Sequence, residues 1–231
     1  LSNDPRDKRL RAAVLIQTPT QNVLIDAGPD FRQQLLNTQV QHLDAIFLTH
    51  EHNDHIIGLD DVRPFLFRKQ KPMRIYCSQR VADDLKVRFA YAFAENPYPG
   101  APRFDLQIIN EKTKLSLDDL RIEPIAYWHG QMPVLGYKIN DLAYLTDIKA
   151  ISAAELDKVR GVRTLVISAL HHDAHHSHLN LQEALAMIDE IAPQTAYITH
   201  LSHKMGLHWQ VEPSLPPGVY LAYDGLKLNL S

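Results

Sequence analysis

The chain has 231 residues, 45% apolar and 22% charged, enough to build a sizeable core in one large domain or two small ones. Its 24 basic and 27 acidic residues leave a net charge of −3, which disfavours a polyanion trap while still permitting a local basic patch. A single cysteine, Cys77, excludes an internal disulfide framework. The opening LSNDPRDKRLR has no apolar signal core and no run approaches the ~18 apolar residues of a membrane span, so a cytoplasmic protein without a membrane partner is expected.

Apolar runs of four to eight residues bounded by turn signals read as buried strands, with helical patterns between them. Ala13–Ile16 and Val23–Ile25 are the first strands, and a Gly-Pro turn then introduces a helix over Asp30–Asn37. Strands follow at Ala45–Leu48 and Arg74–Cys77, then a helix over Gln79–Ala94 with apolar positions 81, 85 and 89. The segment Glu95–Phe104, ENPYPGAPRF, carries three prolines and a glycine; it cannot prolong that helix and reads as a projecting loop. Further strands are expected at Leu106–Ile109, Ile122–Tyr127, Leu135–Ile139 and Ala143–Leu145, a helix at Ala153–Val159 after Ser152, and a strand at Thr164–Ile167. The clearest helix is Asn180–Ile191, opened by a potential Asn180 cap and ended by Pro193, and a strand at Thr195–Ile198 comes after it. Many strands, several helices and short connections imply layered α/β structure.

The compositional outlier is histidine, with 13 residues, nearly all of them in tight groups. The decisive stretch is His50-Glu-His52-Asn-Asp54-His55, directly after a buried strand. His50 and His52 are two apart, so in extended chain both imidazoles point to one side. Asp54 and His55 come as the chain turns and offer an oxygen and a nitrogen nearby. Three imidazoles and a carboxylate within six residues suit a borderline metal such as zinc. One histidine alone would read as an exposed loop residue; this set does not.

The motif resembles the signature of the metallo-β-lactamase superfamily, whose fold is a four-layered αββα sandwich with a metal site on one edge. The resemblance covers nearly the whole chain and implies a single domain over residues 1–231. His129 after Ile122–Tyr127, Asp147 in Tyr-Leu-Thr-Asp and His200 in Tyr-Ile-Thr-His match the family's remaining ligand positions in order. By that match His50, His52 and His129 hold one ion, Asp54, His55 and His200 a second, and Asp147 bridges them. Asp26, in Val-Leu-Ile-Asp-Ala-Gly-Pro, is similar to the aspartate that braces the metal loop by hydrogen bonds and is no ligand itself. The resemblance also places a first strand, a glycine-rich turn and three cysteines ahead of Leu1. His203 would then belong with those cysteines to a structural zinc site.

Two divalent metals, zinc or manganese, can acidify a water and neutralise phosphodiester oxygens. The stretch His171–His178, HHDAHHSH, ends on a histidine two residues before the helix at Asn180. His178 resembles the histidine that acts as general acid in ribonuclease Z and in the phosphoribosyl cyclic phosphate phosphodiesterase branch. Asp54 would both ligate and orient the nucleophile. His171, His172, His175 and His176 read as rim residues. The phrase Thr199-His200-Leu-Ser-His203 also favours this branch. Ribonuclease Z grips transfer RNA with a long basic arm; Glu95–Phe104 is short, with one Arg and one Glu, so a small phosphodiester, cyclic ones included, fits better than a long nucleic acid. Arg63 either contacts substrate phosphate or pairs with Asp60 or Asp61 to stiffen its loop. The alternatives are a thioester or lactone hydrolase of the same fold and a non-enzymatic metal-binding or carrier protein. Relatives are often dimers, which admits a homodimer.

Overall fold

The computed structural model describes residues 2–69 and 71–230. The chain divides into two compact units, one of residues 11–113 with 117–119, the other of residues 1–10, 114–116 and 120–231.

The first unit holds a five-stranded sheet in the order β1 (Val14–Gln17), β2 (Asn22–Ile25), β3 (Ala45–Phe47), β4 (Met73–Cys77), β5 (Phe104–Ile108). β1 pairs antiparallel with β2, and every later pair is parallel. Parallel strands are covered on both faces, which explains why β2 and β3 are buried at every position. Helices α1 (Phe31–Thr38), α2 (Asn53–Ile56), α3 (Arg63–Lys69) and α4 (Gln79–Arg88) fill the connections. The core of this unit gathers Phe31, Leu35, Ile46, Leu48, Leu59, Ile75 and Leu85.

The second unit holds the larger sheet. Its order is β10 (Ala150–Ile151), β7 (Leu120–His129), β8 (Met132–Ile139), β9 (Leu142–Leu145), β11 (Thr164–Ser168), β12 (Thr195–Thr199), β13 (Val219–Leu221), with β6 (Leu115–Leu117) joined to β7 off this path. β9, β11, β12 and β13 run parallel, and β7 shares their direction because two antiparallel pairings separate it from β9. Helices α5 (Ala153–Asp157), α6 (Leu181–Ile191) and α7 (His208–Val211) belong to this unit, and its core includes Ile125, Leu145, Leu165, Ile167, Ile188 and Ile198.

The expected strands all exist, with ends shifted by one or two residues in most cases. β6, β10 and β13 are too short to leave a periodic signal. The helix expected over Gln79–Ala94 stops at Arg88, followed by a separate 3-10 turn at Ala90–Ala92. Phe89 leaves helical geometry (φ −108°, ψ 36°), and its ring meets Phe104 edge-on at 5.8 Å. The packing of that ring on β5 overrides the helical pattern.

Two glycines let the chain segments of the first unit approach where side chains would collide. A Cβ on Gly58 would lie 2.0 Å from the Gly28 carbonyl oxygen and 2.8 Å from Phe31 Cβ; one on Gly28 would lie 2.1 Å from the Asp54 carbonyl oxygen. This contact presses the turn after β2 against the His52–Gly58 segment, and Gly58 N–H donates to Ala27 O at 2.9 Å. Gly58→Ala should therefore destabilise the protein by about 3 kcal/mol or more, the upper end of ordinary overpacking. Gly161→Ala, at φ +66° in open space, should cost only ~1–2 kcal/mol for the left-handed backbone. Urea unfolding midpoints of the two variants check the contrast.

Candidate metal centre

In open α/β sheets, functional groups gather beyond the carboxyl ends of the strands. Both units follow that rule. In the first, Ile25 of β2 is in register with Phe47 of β3, so Asp26 and the Leu48–His50 segment leave the sheet side by side. Asp26 is fully buried and adopts φ 63°, and its amide donates to Phe47 O at 2.9 Å. Its Oδ1 accepts the Thr49 amide at 2.9 Å, and its Oδ2 accepts the Thr49 hydroxyl at 2.9 Å and His55 Nδ1–H at 2.7 Å. That last bond fixes the His55 tautomer and turns its Nε2 lone pair outward, as a ligating imidazole requires.

His50 is buried as well, with Nδ1 2.9 Å from the Thr49 hydroxyl oxygen and Nε2 3.0 Å from His52 Nδ1. The His50 and His55 rings lie 4.1 Å apart between centroids, and His55 Nε2 is 3.7 Å from Asp54 Oδ2. His50, His52, Asp54 and His55 thus share one edge, with nitrogens and a carboxylate drawn together. Glu51, between the two histidines, turns the other way and receives Arg80 Nε–H of α4 at 2.6 Å.

In the second unit β7, β9 and β12 end on a common edge and release His129, Asp147 and His200. Asp147 and His200 stand at φ 57° and 55°. Residues with short polar side chains tolerate this left-handed region best, and such conformations concentrate at functional sites. His129 Nδ1 donates to Ser177 O at 2.8 Å, which leaves Nε2 as the ligating nitrogen. Asp147 Oδ2 accepts the Thr146 hydroxyl at 2.7 Å, while Oδ1 is 3.3 Å from His200 Nε2 and 3.6 Å from His178 Nδ1.

The placement of His178 comes from the capped start of α6. Asn180 Oδ1 accepts the Glu183 amide at 2.8 Å and Glu183 Oε2 accepts the Asn180 amide at 2.9 Å, a reciprocal capping box. The next residue back, Leu179, donates its amide to Ile148 O at 3.0 Å, which ties His178 next to Asp147. His178 Nδ1 is buried without a hydrogen-bond partner, and ligand atoms of His129, Asp147 and His178 lie within 4.8 Å of one another. His178 is therefore placed where it can either bind a cation or serve a substrate.

Other sequence-derived candidates lie apart from these clusters. His203 is exposed at the start of a 3-10 turn, and among the described residues no group of three potential ligands includes it. Arg63 donates from Nε to Asp60 O at 3.1 Å and from Nη2 to Asp60 Oδ2. His172 and His176 are exposed, whereas His171 is buried and its Nδ1 accepts the Asp173 amide at 3.1 Å. Thr49 and Thr146, which orient their neighbours, escaped the sequence reading because a threonine at a strand end is ordinary.

Residues 21–201 match the β-lactamase superfamily domain. The chain belongs to this superfamily. It is 35% identical to a diphosphatase of the PhnP family whose crystal structure superposes with a TM-score of 0.91, covering 98% of this chain and 86% of that one. It is also 40% identical over 228 residues to an octanoyltransferase of Porphyromonas gingivalis, covering 98% of this chain and 46% of that protein. A ribonuclease Z of Nanoarchaeum equitans is 30% identical over 146 residues, 60% of this chain and 43% of the relative. The chain thus spans less than half the length of these curated relatives. Two sheets flanked by helices match the metallo-β-lactamase fold, and the superfamily makes this a hydrolase fold that works with divalent metal. The donor set fits such ions: imidazoles with fixed tautomers and carboxylates at strand ends. Among the described residues no helix is long and apolar enough to cross a membrane.

Burial pushes the His178 imidazole down from 6.5 to about 3, outweighing the favourable charge of Asp147. The unfolded chain takes up a proton there near pH 6.5, whereas the folded chain holds the ring neutral until about pH 3. This contribution to stability is complete above pH 6.5 and is lost as pH falls through the window towards 3. In chelator, His178→Gln should show a smaller drop in denaturant midpoint between pH 7 and pH 5 than the unmodified chain.

Proposed function

We propose that this chain is a metal-dependent phosphodiesterase acting on a small phosphodiester, cyclic ones included. The observation that carries the reading is His178, a half-buried imidazole whose Nδ1 lies 3.6 Å from Asp147, out of solvent and without a hydrogen bond. Hydrolysis of a phosphodiester needs a proton for the departing oxygen, and a histidine beside the cation ligands suits that task. Similarity to a PhnP-family diphosphatase over nearly the full chain supports phosphoryl chemistry.

In this reading His50, His52, Asp54, His55, His129, Asp147 and His200 are the ligands of two divalent cations, zinc or manganese. Their order along the chain is that of the superfamily, and the bonds from His55 to Asp26 and from His129 to Ser177 O prepare two of them as ligands. Cations bound there supply Lewis-acid activation of water and neutralise phosphoryl oxygens. Asp54 orients the attacking water. His178 gains its proton when the phosphodiester anion approaches, since that negative charge opposes the desolvation that keeps the ring neutral, and it passes the proton to the leaving oxygen.

The octanoyltransferase relative raises acyl transfer as a second reading. Transfer through a cysteine thioester requires a thiolate. Cys77, the one cysteine, is fully buried at the end of β4, and burial pushes its thiol up to about 12. This chain therefore has no cysteine suited to acyl transfer, and in that longer relative we assign the activity to the part outside the match.

Bis(p-nitrophenyl) phosphate is the first substrate to test, with zinc and manganese added back separately after chelation. Activity should vanish with the chelator and return with metal. His178→Ala should lower kcat by ~10²-fold or more, the usual weight of a general acid, with metal content unchanged. Loss of metal together with activity would make His178 a ligand; thioester hydrolysis exceeding phosphodiester hydrolysis would overturn the reading.

A further inference from the structure

Within the first unit, the Glu95–Phe104 loop and the start of α3 border a half-open cavity of about 260 Å³. Its lining includes Arg63, Phe67, Pro97, Tyr98, Pro99 and Arg103, and contains no carboxylate. Phe67 and Tyr98 line it while remaining 60% and 50% exposed, so two aromatic rings border the cavity within reach of a ligand.

The cavity is built, not incidental. Asp60 accepts the Tyr91 hydroxyl and also holds Arg63. The Tyr91 ring stacks on Tyr98 at 6.1 Å with a 24° interplanar angle, so one carboxylate fixes both the guanidinium and the aromatic wall. Phe104, at the end of the loop, packs against Phe89 and Phe93 at 5.8 and 5.7 Å. Arg103 has no acidic partner among the described residues, which leaves its five donors available.

We propose that this cavity is a nucleotide-binding site, with the base against Phe67 and Tyr98 and the phosphate on Arg103, flanked by Arg63. A phosphate alone would use the guanidinium groups but not the rings, and an uncharged aromatic would use the rings but not Arg103. A nucleotide uses both: base stacking on aromatic faces and the planar fork of arginine on phosphate oxygens. At about 260 Å³ the cavity is of small-molecule size rather than one for a folded partner. The inference goes beyond the phosphodiesterase reading, and its test needs no turnover.

The test is calorimetric titration of the full chain, loaded with divalent metal, using adenosine 5′-monophosphate, adenosine and ribose 5-phosphate. Saturable binding of the nucleotide is expected, with each fragment at least tenfold weaker. Tyr98→Ala and Arg103→Ala should each raise Kd at least fivefold, while Tyr98→Phe retains binding; melting curves verify that these loop variants stay folded. Nucleotide binding that is unchanged in both alanine variants would place the ligand on the metal-binding histidines and overturn the proposal. So would ribose 5-phosphate binding as tightly as the nucleotide, or no saturation at millimolar concentration.

Discussion

The buried carboxylate of Asp26 is the constraint on which the histidine cluster of the first unit depends. It joins three pieces of chain that sequence alone keeps apart: the end of β2, the end of β3 and the short helix α2. A buried carboxylate without partners is costly, so this one survives only because Thr49 and His55 satisfy it. The same bonds decide which nitrogen of His55 carries the proton. Satisfying the carboxylate and preparing a ligand are one arrangement, and the Gly28–Gly58 contact supplies the closeness it needs.

The second unit solves the same problem with backbone. Ser177 O orients His129, and the Leu179 amide on Ile148 O sets the distance between His178 and Asp147. The capping box of α6 stops the helix where His178 must stand. Local rules of helix initiation thus become rules of site geometry, and the histidine-rich stretch is pinned at both ends, since the Leu170 amide donates to Leu179 O and the Leu181 amide to His171 O.

Much of this was legible in the sequence. Central strands such as β3 and β11 announced themselves because parallel strands buried on both faces are continuous apolar runs. The Asn180 cap was readable because Asn and Glu stand three apart ahead of an apolar stripe. The stretch from Gly58 to Phe65 was readable only as the start of a helix or turn, because Arg-Pro-Phe-Leu-Phe carries no helical period to decide between them; the chain forms a 3-10 turn at Ile57–Val62 and then helix α3. The length of α4 was overestimated because Phe89 fits a helical stripe yet packs on β5. The ligand candidates could be named from type and spacing. The tautomer of each histidine could not, because Asp26 and Ser177 lie 29 and 48 residues from the rings they orient.

Asp147 and His200 are also residues at which the chain reverses into left-handed backbone. Their side chains must therefore satisfy two filters at once. Cation chemistry admits aspartate, glutamate, histidine and cysteine; the left-handed turn favours asparagine, aspartate and histidine. Only aspartate and histidine pass both. Glutamate in place of Asp147 would keep the charge yet add a methylene and weaken the turn, so the alphabet open to variation at these strand ends is narrower than metal coordination alone would set.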